Sequence, residues 1–434
     1  MIPNLPPQSL QIFPIPHPLD ARISIPGSKS QTNRALLIAA LAKGKTRLTN
    51  ALFSDDSGFL VSALQNLGFM ILPDPDNGII EVTGLDGYIP KSGVEIFIGN
   101  AGTAARFLTA FLTLGRGTYI IDGDARMRER PIGDLVDALS QLGANVQAVG
   151  RYGHFACPPV RIEASGLPGG KAKISGKISS QYLSALLMIT PYANSPVAIE
   201  ITNKLNSKPY IDMTLAVMSD FGIDVEHDNH KRFLIHHSAF SPNSEYSIEP
   251  DATSASYFFA APAICGGSVC VDGLSRKSIQ GDIRFLDILE KMGCVIQDKG
   301  NAIKVIGPKE LNGLDVDMSD IPDTAQTLAA VAPFAVTPTR IRGIASARVK
   351  ETDRISAVCT ELRKIGVRVK EHEDGMTIFP CSQFKPAVIH TYSDHRMAMA
   401  FSLIGLRTPG IIIENPGCVS KTFPNFFIVQ ETLR

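Results

Sequence analysis

The chain has 434 residues, of which 44% are hydrophobic and 19% are charged, so it has the composition of a globular protein and the length for two or three hydrophobic cores. Its 42 basic and 42 acidic residues cancel, which excludes a net field that would draw the protein to nucleic acid or to a membrane surface. Any affinity for anions must therefore come from a local cluster of cations.

The N-terminal stretch has no basic start followed by an apolar core, so we expect neither a signal peptide nor a transit peptide. Two of its segments, LQIFPI and ARISIP, have the pattern of strands. No window approaches about 18 uninterrupted apolar residues, which argues against a membrane span. The seven cysteines are scattered and form no C-x-x-C pair, so we expect no disulfide framework, no zinc site and a reducing, cytoplasmic compartment.

Six segments of the chain repeat one pattern: small polar residues, a helical apolar stretch, a Gly or Pro break and a β-rich run. Their helix starts fall near residues 28, 102, 179, 253, 324 and 395, at intervals of 71 to 77 residues. A period of this length indicates a supersecondary unit that stacks on its neighbours. The sequence therefore predicts six structural repeats.

Each repeat is predicted to hold two helices of different character. The first is apolar or small nearly all round, as in ALLIAALA and YLSALLMI, which indicates burial on every side. The second has one apolar face and ends at a glycine suited to a left-handed C-terminal cap. These glycines are Gly68, Gly143, Gly222, Gly293 and Gly366. With its strands, each repeat is predicted to be a βαβαββ-like unit of an α/β fold.

The sixth repeat stops where further strands are expected, so we predict that the N-terminal segment closes it. Three repeats then form one domain over residues 28–249, and three form a discontinuous domain of residues 1–27 plus 250–434. The chain would cross between the two domains near Gly27 and Pro250. If the buried helices of both domains point their N-termini at a common cleft, their positive dipole ends predict an active site there for multiply charged anions.

The first helix start, GSKSQTNR, offers Lys29, Ser30 and Arg34 beside free backbone amides, a combination that suits phosphate or carboxylate. Taken alone, the same residues are equally consistent with a capped helix that carries solvated charges. The stretch is not a nucleotide-binding P-loop, because Ala39 stands where the first glycine of that motif belongs. ATP binding is therefore disfavoured.

Polar and basic residues recur at the later helix starts. They include Gly102 and Arg106 in GNAGTAAR, Arg126 in DGDARMRERP, Ser179, Ser180 and Gln181 in SGKISSQ, Ser207 and Tyr210 in NSKPYIDM, Lys350, Glu351 and Arg354 in SARVKETDR, Arg396 in YSDHRM, and Lys421 in CVSKTFP. Five of the six repeats carry a basic residue near the same position, which a merely solvated surface does not predict. Asp323, in SDIPDTAQT, is either a helix cap or a carboxylate that takes a proton from a hydroxyl.

Nine motifs, taken in order, resemble those of the 5-enolpyruvylshikimate-3-phosphate synthase family of enolpyruvyl transferases. They are GSKSQTNRALL, GNAGTAAR, RMRERP, SSQYLSALLM, SKPYIDMT, IPDTAQT, RVKETDR, DHRMAMAF and SKTFPNFF, and they span essentially the whole chain. The resemblance implies two similar domains, each an inside-out α/β barrel of three repeats. It also implies a monomer with no metal, no organic cofactor, and no nucleic-acid or membrane partner.

The reaction implied by the resemblance moves the enolpyruvyl group of phosphoenolpyruvate to the 5-hydroxyl of shikimate 3-phosphate and releases phosphate, in the route to chorismate and the aromatic amino acids. The residues implied to bind shikimate 3-phosphate are Lys29, Ser30, Arg34, Ser179, Ser180, Gln181, Ser207, Tyr210, Asp323, Ser346 and Lys350. Those implied to bind phosphoenolpyruvate are Lys29, Gly102, Arg126, Gln181, Arg354, Arg396 and Lys421. The resemblance makes Asp323 the base for the 5-hydroxyl, and Glu351, with Lys29, the source of the proton for the methylene carbon.

Three positions depart from the family pattern. Phe107 stands where many relatives have proline, a change expected to alter the response to glyphosate, which competes for the phosphoenolpyruvate site. Ser346 replaces the usual asparagine before RVKE, and Ala347 replaces a tryptophan or another apolar residue. The substrate contact at Ser346 is therefore expected to differ from that of relatives.

Two other function classes share part of this pattern. UDP-N-acetylglucosamine enolpyruvyl transferase, which has the same chemistry and fold, would show a GAKN-like start and a loop cysteine near residues 110–130, whereas the first cysteine here is Cys157. A non-catalytic repeat scaffold would explain the repeats but not the cations at the helix starts. Both alternatives are disfavoured by the residues.

Overall fold

The computed structural model describes residues 8–434. Residues 1–7 lie outside this range. They belong to the predicted segment 1–27 and to the N-terminal stretch in which neither a signal peptide nor a transit peptide is expected. Contacts divide the chain into two compact units: a continuous unit of residues 27–249 and a discontinuous unit of residues 8–26 with 250–434. Within the described range, no helix is both long enough and apolar enough to cross a bilayer.

Helices of two kinds alternate along residues 8–434. The α-helices are α1 (Lys29–Leu41), α2 (Asp55–Asn66), α3 (Gly102–Phe111), α4 (Gly133–Gln141), α5 (Ser180–Ile189), α6 (Lys208–Asp220), α7 (Ala252–Cys265), α8 (Phe285–Lys291), α9 (Ala325–Val331), α10 (Arg354–Lys364), α11 (His395–Gly405) and α12 (Phe426–Glu431). Short 3-10 turns lie at Leu112–Leu114, Met127–Glu129, Thr190–Tyr192, Gly281–Arg284, Pro322–Thr324, Ala332–Phe334, Ala345–Val349 and Pro416–Lys421. The odd-numbered α-helices are the first helices of the six repeats.

The strands are short and form six small sheets. They are β1 (Ser9–Ile12), β2 (Leu19–Ile23), β3 (Lys43–Thr49), β4 (Met70–Asp74), β5 (Ile79–Leu85), β6 (Val94–Phe97), β7 (Arg116–Asp122), β8 (Asn145–Tyr152), β9 (Phe155–Ser165), β10 (Gly170–Ile174), β11 (Val197–Ile201), β12 (Glu226–Asp228), β13 (Arg232–Ile235), β14 (Glu245–Ser247), β15 (Gly267–Asp272), β16 (Val295–Asp298), β17 (Ala302–Ile306), β18 (Asp315–Asp317), β19 (Thr339–Arg342), β20 (Val369–His372), β21 (Gly375–Ile378), β22 (Ala387–Ile389) and β23 (Ile411–Glu414).

Among the described residues, one pairing pattern of a parallel pair followed by two antiparallel pairs recurs in five four-stranded sheets, and the three-stranded sheet lacks the last strand of that pattern. In the continuous unit the strand orders are β14-β3-β5-β4, β6-β7-β9-β8 and β10-β11-β13-β12, and in the discontinuous unit they are β16-β17-β15-β2, β18-β19-β21-β20 and β1-β23-β22. In the second sheet, for example, β6 is parallel to β7, while β9 runs antiparallel to both β7 and β8. The predicted α/β fold of six βαβαββ-like repeats is confirmed.

Strands from distant parts of the chain complete three of the repeats. The strand β1 pairs antiparallel with β23, so the prediction that N-terminal residues close the sixth repeat is confirmed for this strand. It is wrong for β2, which pairs parallel with β15 and so supplies the first strand of the fourth repeat. In the same way, β14 pairs parallel with β3 and supplies the first strand of the first repeat.

The first helices are buried as their all-round apolar pattern predicts. Every residue of α11 is buried, and so is every residue of α1 from Gln31 to Leu41. The helices α1, α3 and α5 pack on one another in the continuous unit, as α7, α9 and α11 do in the discontinuous unit. Such helices bury apolar surface on all sides, so polar residues are tolerated chiefly at their ends or where another polar group meets them.

The glycine stops after the second helices are also confirmed. All five predicted glycines have positive φ angles, between +87° and +110°. A residue with a Cβ is strained in this left-handed region, whereas glycine enters it freely and turns the chain into the next strand.

Candidate active site

The start of α1 carries the first group of predicted binding residues, and all of its contacts described here lie in the continuous unit. Ser28 caps the helix by accepting the backbone N–H of Gln31 at 3.4 Å. Lys29, largely buried, places its Nζ 3.2 Å from Oδ2 of Asp56 in the first turn of α2. This carboxylate fixes the ammonium group at the positive end of α1, where an anion is also favoured.

Arg34 lies deeper, with its guanidinium inside the continuous unit. It donates to Thr214 Oγ1 at 2.7 Å, to Ser184 Oγ at 3.1 Å, and to the backbone oxygens of Ser30 and Tyr210 at 2.8 and 3.2 Å. Burial lowers its pKa to about 10. Because these bonds use four of the five N–H groups of a guanidinium, at most one remains for a substrate, and Arg34 also joins α1 to α5 and α6.

Gln31 is a site-adjacent residue that sequence reasoning did not single out. Its Nε2 donates to the Tyr246 hydroxyl at 3.0 Å, and its Oε1 accepts the backbone N–H of Glu249 at 2.8 Å. The Tyr246 hydroxyl in turn donates to Asp220, and burial raises its pKa. These bonds tie the first turn of α1, which carries Lys29, to the end of the continuous unit.

Gln31→Leu should therefore disturb the site as well as the fold. The substitution removes the acceptor of the part-buried Glu249 N–H and one of the two partners of the Tyr246 hydroxyl, and an unpaired buried polar group costs about 1–3 kcal/mol. We expect a lower Tm and, because the Lys29 turn is no longer held, a rise of about tenfold in KM for shikimate 3-phosphate.

Steady-state kinetics and thermal unfolding test this prediction. The matched control is Gln65→Leu near the end of α2, which removes a hydrogen bond of 2.9 Å to the backbone oxygen of Ile71 on β4. An equal effect of both substitutions on KM would show that Gln31 has no positioning role.

Gly102 is the first residue of α3 and lies next to the guanidinium of Arg130. A methyl group added at Gly102 would lie 2.4 Å from Nη2 of Arg130, so a larger residue here would displace that guanidinium. Arg130 is buried and donates from Nη1 to the backbone and side-chain oxygens of Asn100 at 3.0 and 2.8 Å. Arg126, predicted to bind phosphoenolpyruvate, is partly exposed and pairs with Glu129 Oε2 at 2.6 Å.

The starts of α5 and α6 supply neutral donors. Ser179 caps α5 by accepting the Gln181 N–H at 3.2 Å, and Ser180 beside it is buried. Gln181 donates from Nε2 to Thr103 Oγ1 at 3.2 Å, which joins this helix start to that of α3. Ser207 precedes α6 in a left-handed conformation with φ of +56°.

Arg354 is the centre of an ion-pair network in the discontinuous unit. Its Nε and Nη2 donate to the two oxygens of Asp394 at 2.7 and 3.3 Å. A second donor on Nη2 meets Glu351 Oε2 at 2.7 Å, and Nη1 meets Asp323 Oδ1 at 3.2 Å. Burial lowers the pKa of Arg354, but the carboxylates of Asp394, Glu351 and Asp323 outweigh that effect and the pKa is raised. The guanidinium is therefore a permanent cation.

Asp323 links this network to a second arginine. It lies in the turn Pro322–Thr324 ahead of α9 and does not cap that helix, so the helix-cap alternative is wrong. Its Oδ2 accepts from Nη2 of Arg396 at 2.8 Å. Lys421 adds a third cation, with Nζ 4.0 Å from Oε1 of Glu351.

The network thus brings together five residues that the resemblance assigns to the site. They are Asp323, Glu351, Arg354, Arg396 and Lys421. Opposite charges packed in a largely buried cluster interact far more strongly than exposed pairs. Guanidinium groups are also the side chains best suited to bind a carboxylate or phosphate through two parallel hydrogen bonds.

The other positions noted in the sequence divide between the two units. Lys350 and Ser346 are half-buried in and after the turn Ala345–Val349, and Ala347 in that turn is buried. Phe107 is fully buried on α3, with its ring centroid 5.4 Å from the guanidinium carbon of Arg34.

Two carboxylates of the site were not assigned roles from the sequence. Asp56 holds Lys29, and Asp394 holds Arg354. The sequence contains a pattern that could have identified Asp56, because an acidic residue also stands at or before the second helix of other repeats, at Asp134 and Asp282. Asp394 sat within a noted motif, but its partner lies 40 residues away.

Across residues 8–434, no group of three or more histidine, cysteine, aspartate or glutamate side chains is arranged to hold a metal ion.

Comparisons with known proteins agree with one another. The sequence model of the family described as EPSP synthase (3-phosphoshikimate 1-carboxyvinyltransferase) matches residues 14–429. A 3-phosphoshikimate 1-carboxyvinyltransferase of Trichormus variabilis is 49% identical over 94% of this chain and 95% of its own. A chloroplastic enzyme of that name from Arabidopsis thaliana is 49% identical over 95% of this chain and 82% of its own. The solved structure of EPSP synthase from Acinetobacter baumannii superposes with a TM-score of 0.80 at 26% identity, covering 98% of both chains.

Proposed function

Because the chain belongs to the EPSP synthase family, we infer that it transfers the carboxyvinyl group of phosphoenolpyruvate to the 5-hydroxyl of shikimate 3-phosphate and releases phosphate. This reaction is a step of the shikimate pathway towards chorismate and the aromatic amino acids. The observation that carries the inference is the family match over nearly the whole chain, together with a buried cation network that contains both acid-base carboxylates. The relatives' names do not favour the alternative acceptor, UDP-N-acetylglucosamine.

The shikimate 3-phosphate site is proposed to use mainly the continuous unit. Lys29 and Ser30 at the start of α1 present a cation and a hydroxyl at a positive helix end. The residues proposed with them are Arg34, Ser179, Ser180, Gln181, Ser207 and Tyr210, and Asp323, Ser346 and Lys350 from the discontinuous unit. The neutral donors among them hold phosphate and ring oxygens without changing the charge of the site.

The phosphoenolpyruvate site is proposed to use cations from both units. Arg354, Arg396 and Lys421 come from the discontinuous unit, where they share the ion-pair network. Lys29, Gly102, Arg126 and Gln181 come from the continuous unit. Two polyanionic substrates repel each other, so this number of donors is needed before the reacting oxygen can approach C2 of the enol ether.

Two carboxylates of the ion-pair network, Asp323 and Glu351, are proposed to carry out the acid-base steps. Asp323 accepts the proton of the 5-hydroxyl as its oxygen bonds to C2, and a proton from Glu351, with Lys29, goes to the methylene carbon. This addition gives a tetrahedral ketal phosphate. In the second step a base removes a proton from the new methyl group, the C2–O bond to phosphate breaks as an acid protonates the leaving phosphate, and the double bond is restored with the C2–O5 bond intact.

The two compact units act in this proposal as the two domains of the enzyme, and the reaction draws on residues of both. The free cysteines agree with a reducing, cytoplasmic compartment. The monomeric state and the altered response to glyphosate at Phe107 stay predictions.

A coupled assay of phosphate release tests the function directly. We expect release from phosphoenolpyruvate that requires shikimate 3-phosphate and yields the enolpyruvyl product by mass spectrometry. Release without the second substrate, or release that requires UDP-N-acetylglucosamine, would overturn the assignment.

A further inference from the structure

The Arg354 guanidinium has two edges on which a pair of adjacent N–H groups can bind an anion, and both edges already bind carboxylates. The edge formed by Nε and Nη2 is taken by both oxygens of Asp394. The edge formed by Nη1 and Nη2 is taken by Asp323 and Glu351 together. An anion that binds Arg354 bidentately needs two adjacent N–H donors, so it must replace one of these groups.

The three carboxylates differ in how firmly they are held. Asp394 is fully buried and also caps α11 by accepting the Arg396 backbone N–H at 2.9 Å. Glu351 is 8% exposed and makes a short bond of 2.7 Å. Asp323 is 19% exposed and makes the longer bond of 3.2 Å to Arg354. Asp323 is therefore the most exposed of the three carboxylates and the one that Arg354 holds by a single bond above 3 Å, while its other oxygen accepts from Arg396 at 2.8 Å.

Departure of Asp323 frees donors on two cations at once. Its two oxygens divide between Arg354 and Arg396, so one carboxylate masks both arginines. The carboxylates Asp323, Glu351 and Asp394 pair with Arg354, Arg396 and Lys421. An incoming anion must therefore compete with these carboxylates for the arginine donors.

We propose that Asp323 and the anionic groups of phosphoenolpyruvate compete for the same N–H donors of Arg354 and Arg396, so that binding of this substrate displaces Asp323 and releases it to act as the base. The inference rests on the proposed function and adds an order of events to it. A carboxylate that accepts from two guanidinium groups is a weak base, and it becomes a stronger one when both bonds are lost. The base is thus withheld until the electrophile is bound.

Binding of phosphoenolpyruvate alone to Asp323→Asn tests the competition. Asparagine keeps the size of aspartate but lacks the charge that holds the arginines. We expect the dissociation constant, measured by equilibrium dialysis, to fall about tenfold relative to the parent protein, the scale for one charged competitor. A second variant, Asp323→Ser, should bind more tightly in the same way.

The matched control is Asp320→Asn, which removes a charge from an exposed side chain whose partner, Arg284, is 3.5 Å away. Its dissociation constant should stay within about twofold of the parent value. Equal or weaker binding by both Asp323 variants, or no binding by variant and parent at millimolar substrate, would overturn the competition. The phosphate-release assay on the parent enzyme separates this result from a failure of the proposed function, because an active parent with an unchanged dissociation constant rejects only the displacement of Asp323.

Discussion

Asp323→Ala should lower turnover by about 10² or more and leave the affinity for shikimate 3-phosphate within about tenfold of the parent value. The carboxylate is the only group proposed to take the proton of the 5-hydroxyl, and alanine cannot accept it. Substrate affinity changes little, since many other donors are proposed to hold shikimate 3-phosphate. Single-turnover kinetics and a binding titration measure the two quantities separately.

The control for this variant is Asp320→Ala in the same segment. Asp320 is exposed and its ion pair with Arg284 is long, so its loss should leave turnover near the parent value. If Asp323→Ala turned over at a near-normal rate, Asp323 would not be the base. If both variants lost turnover alike, the effect would belong to the segment rather than to the carboxylate.

Asp394→Ala should cause the largest loss of stability. Asp394 is fully buried and is the side-on partner of Arg354, itself 4% exposed. Removing one partner of a buried ion pair costs about 3–5 kcal/mol, and we expect the lower end of this range because Arg354 keeps its bonds to Glu351 and Asp323. The substitution also removes the N-cap of α11, a further loss of about 1 kcal/mol. Urea denaturation measures the change in the free energy of unfolding.

Asp353→Ala provides the comparison for this loss. Asp353 is also an N-cap, accepting the Ser356 N–H at 3.0 Å at the start of α10, but its ion pair with Arg348 is partly exposed. It should therefore cost about 1 kcal/mol, the value of a cap. Equal losses for the two alanine variants would mean that the buried pair adds nothing to stability, contrary to this prediction.

The architecture was largely predictable from the sequence because its signals are local. Burial of the first helices follows from their all-round apolar composition, and each second helix ends at a glycine such as Gly68 or Gly293 whose positive φ no other residue adopts easily. The repeat period required only comparison of the chain with itself. The residue types at the helix starts also pointed to anions, and the order of nine motifs pointed to the family.

The candidate site was predictable in membership but not in geometry. The sequence grouped Asp323 with arginines, yet a helix cap remained an equally open role for it until its two oxygens were found on Arg354 and Arg396. Arg34 was expected at a substrate, and its donors turn out to be mostly used by the protein itself. The sequence shows which charged residues are present, whereas only the ion-pair and hydrogen-bond distances in the structure show which of them already have a partner within the protein.

The sequence by itself thus determined the α/β repeats, the buried helices and the family, because periodicity, turn residues and motif order are properties of neighbouring residues. Only the tertiary structure decided that β2 joins the fourth repeat, that β14 completes the first, and that Asp394 and Asp323 share Arg354. Those pairings join positions tens to hundreds of residues apart. They depend on which hydrogen-bonding edges and charges meet when the whole chain packs, and no local pattern encodes that choice.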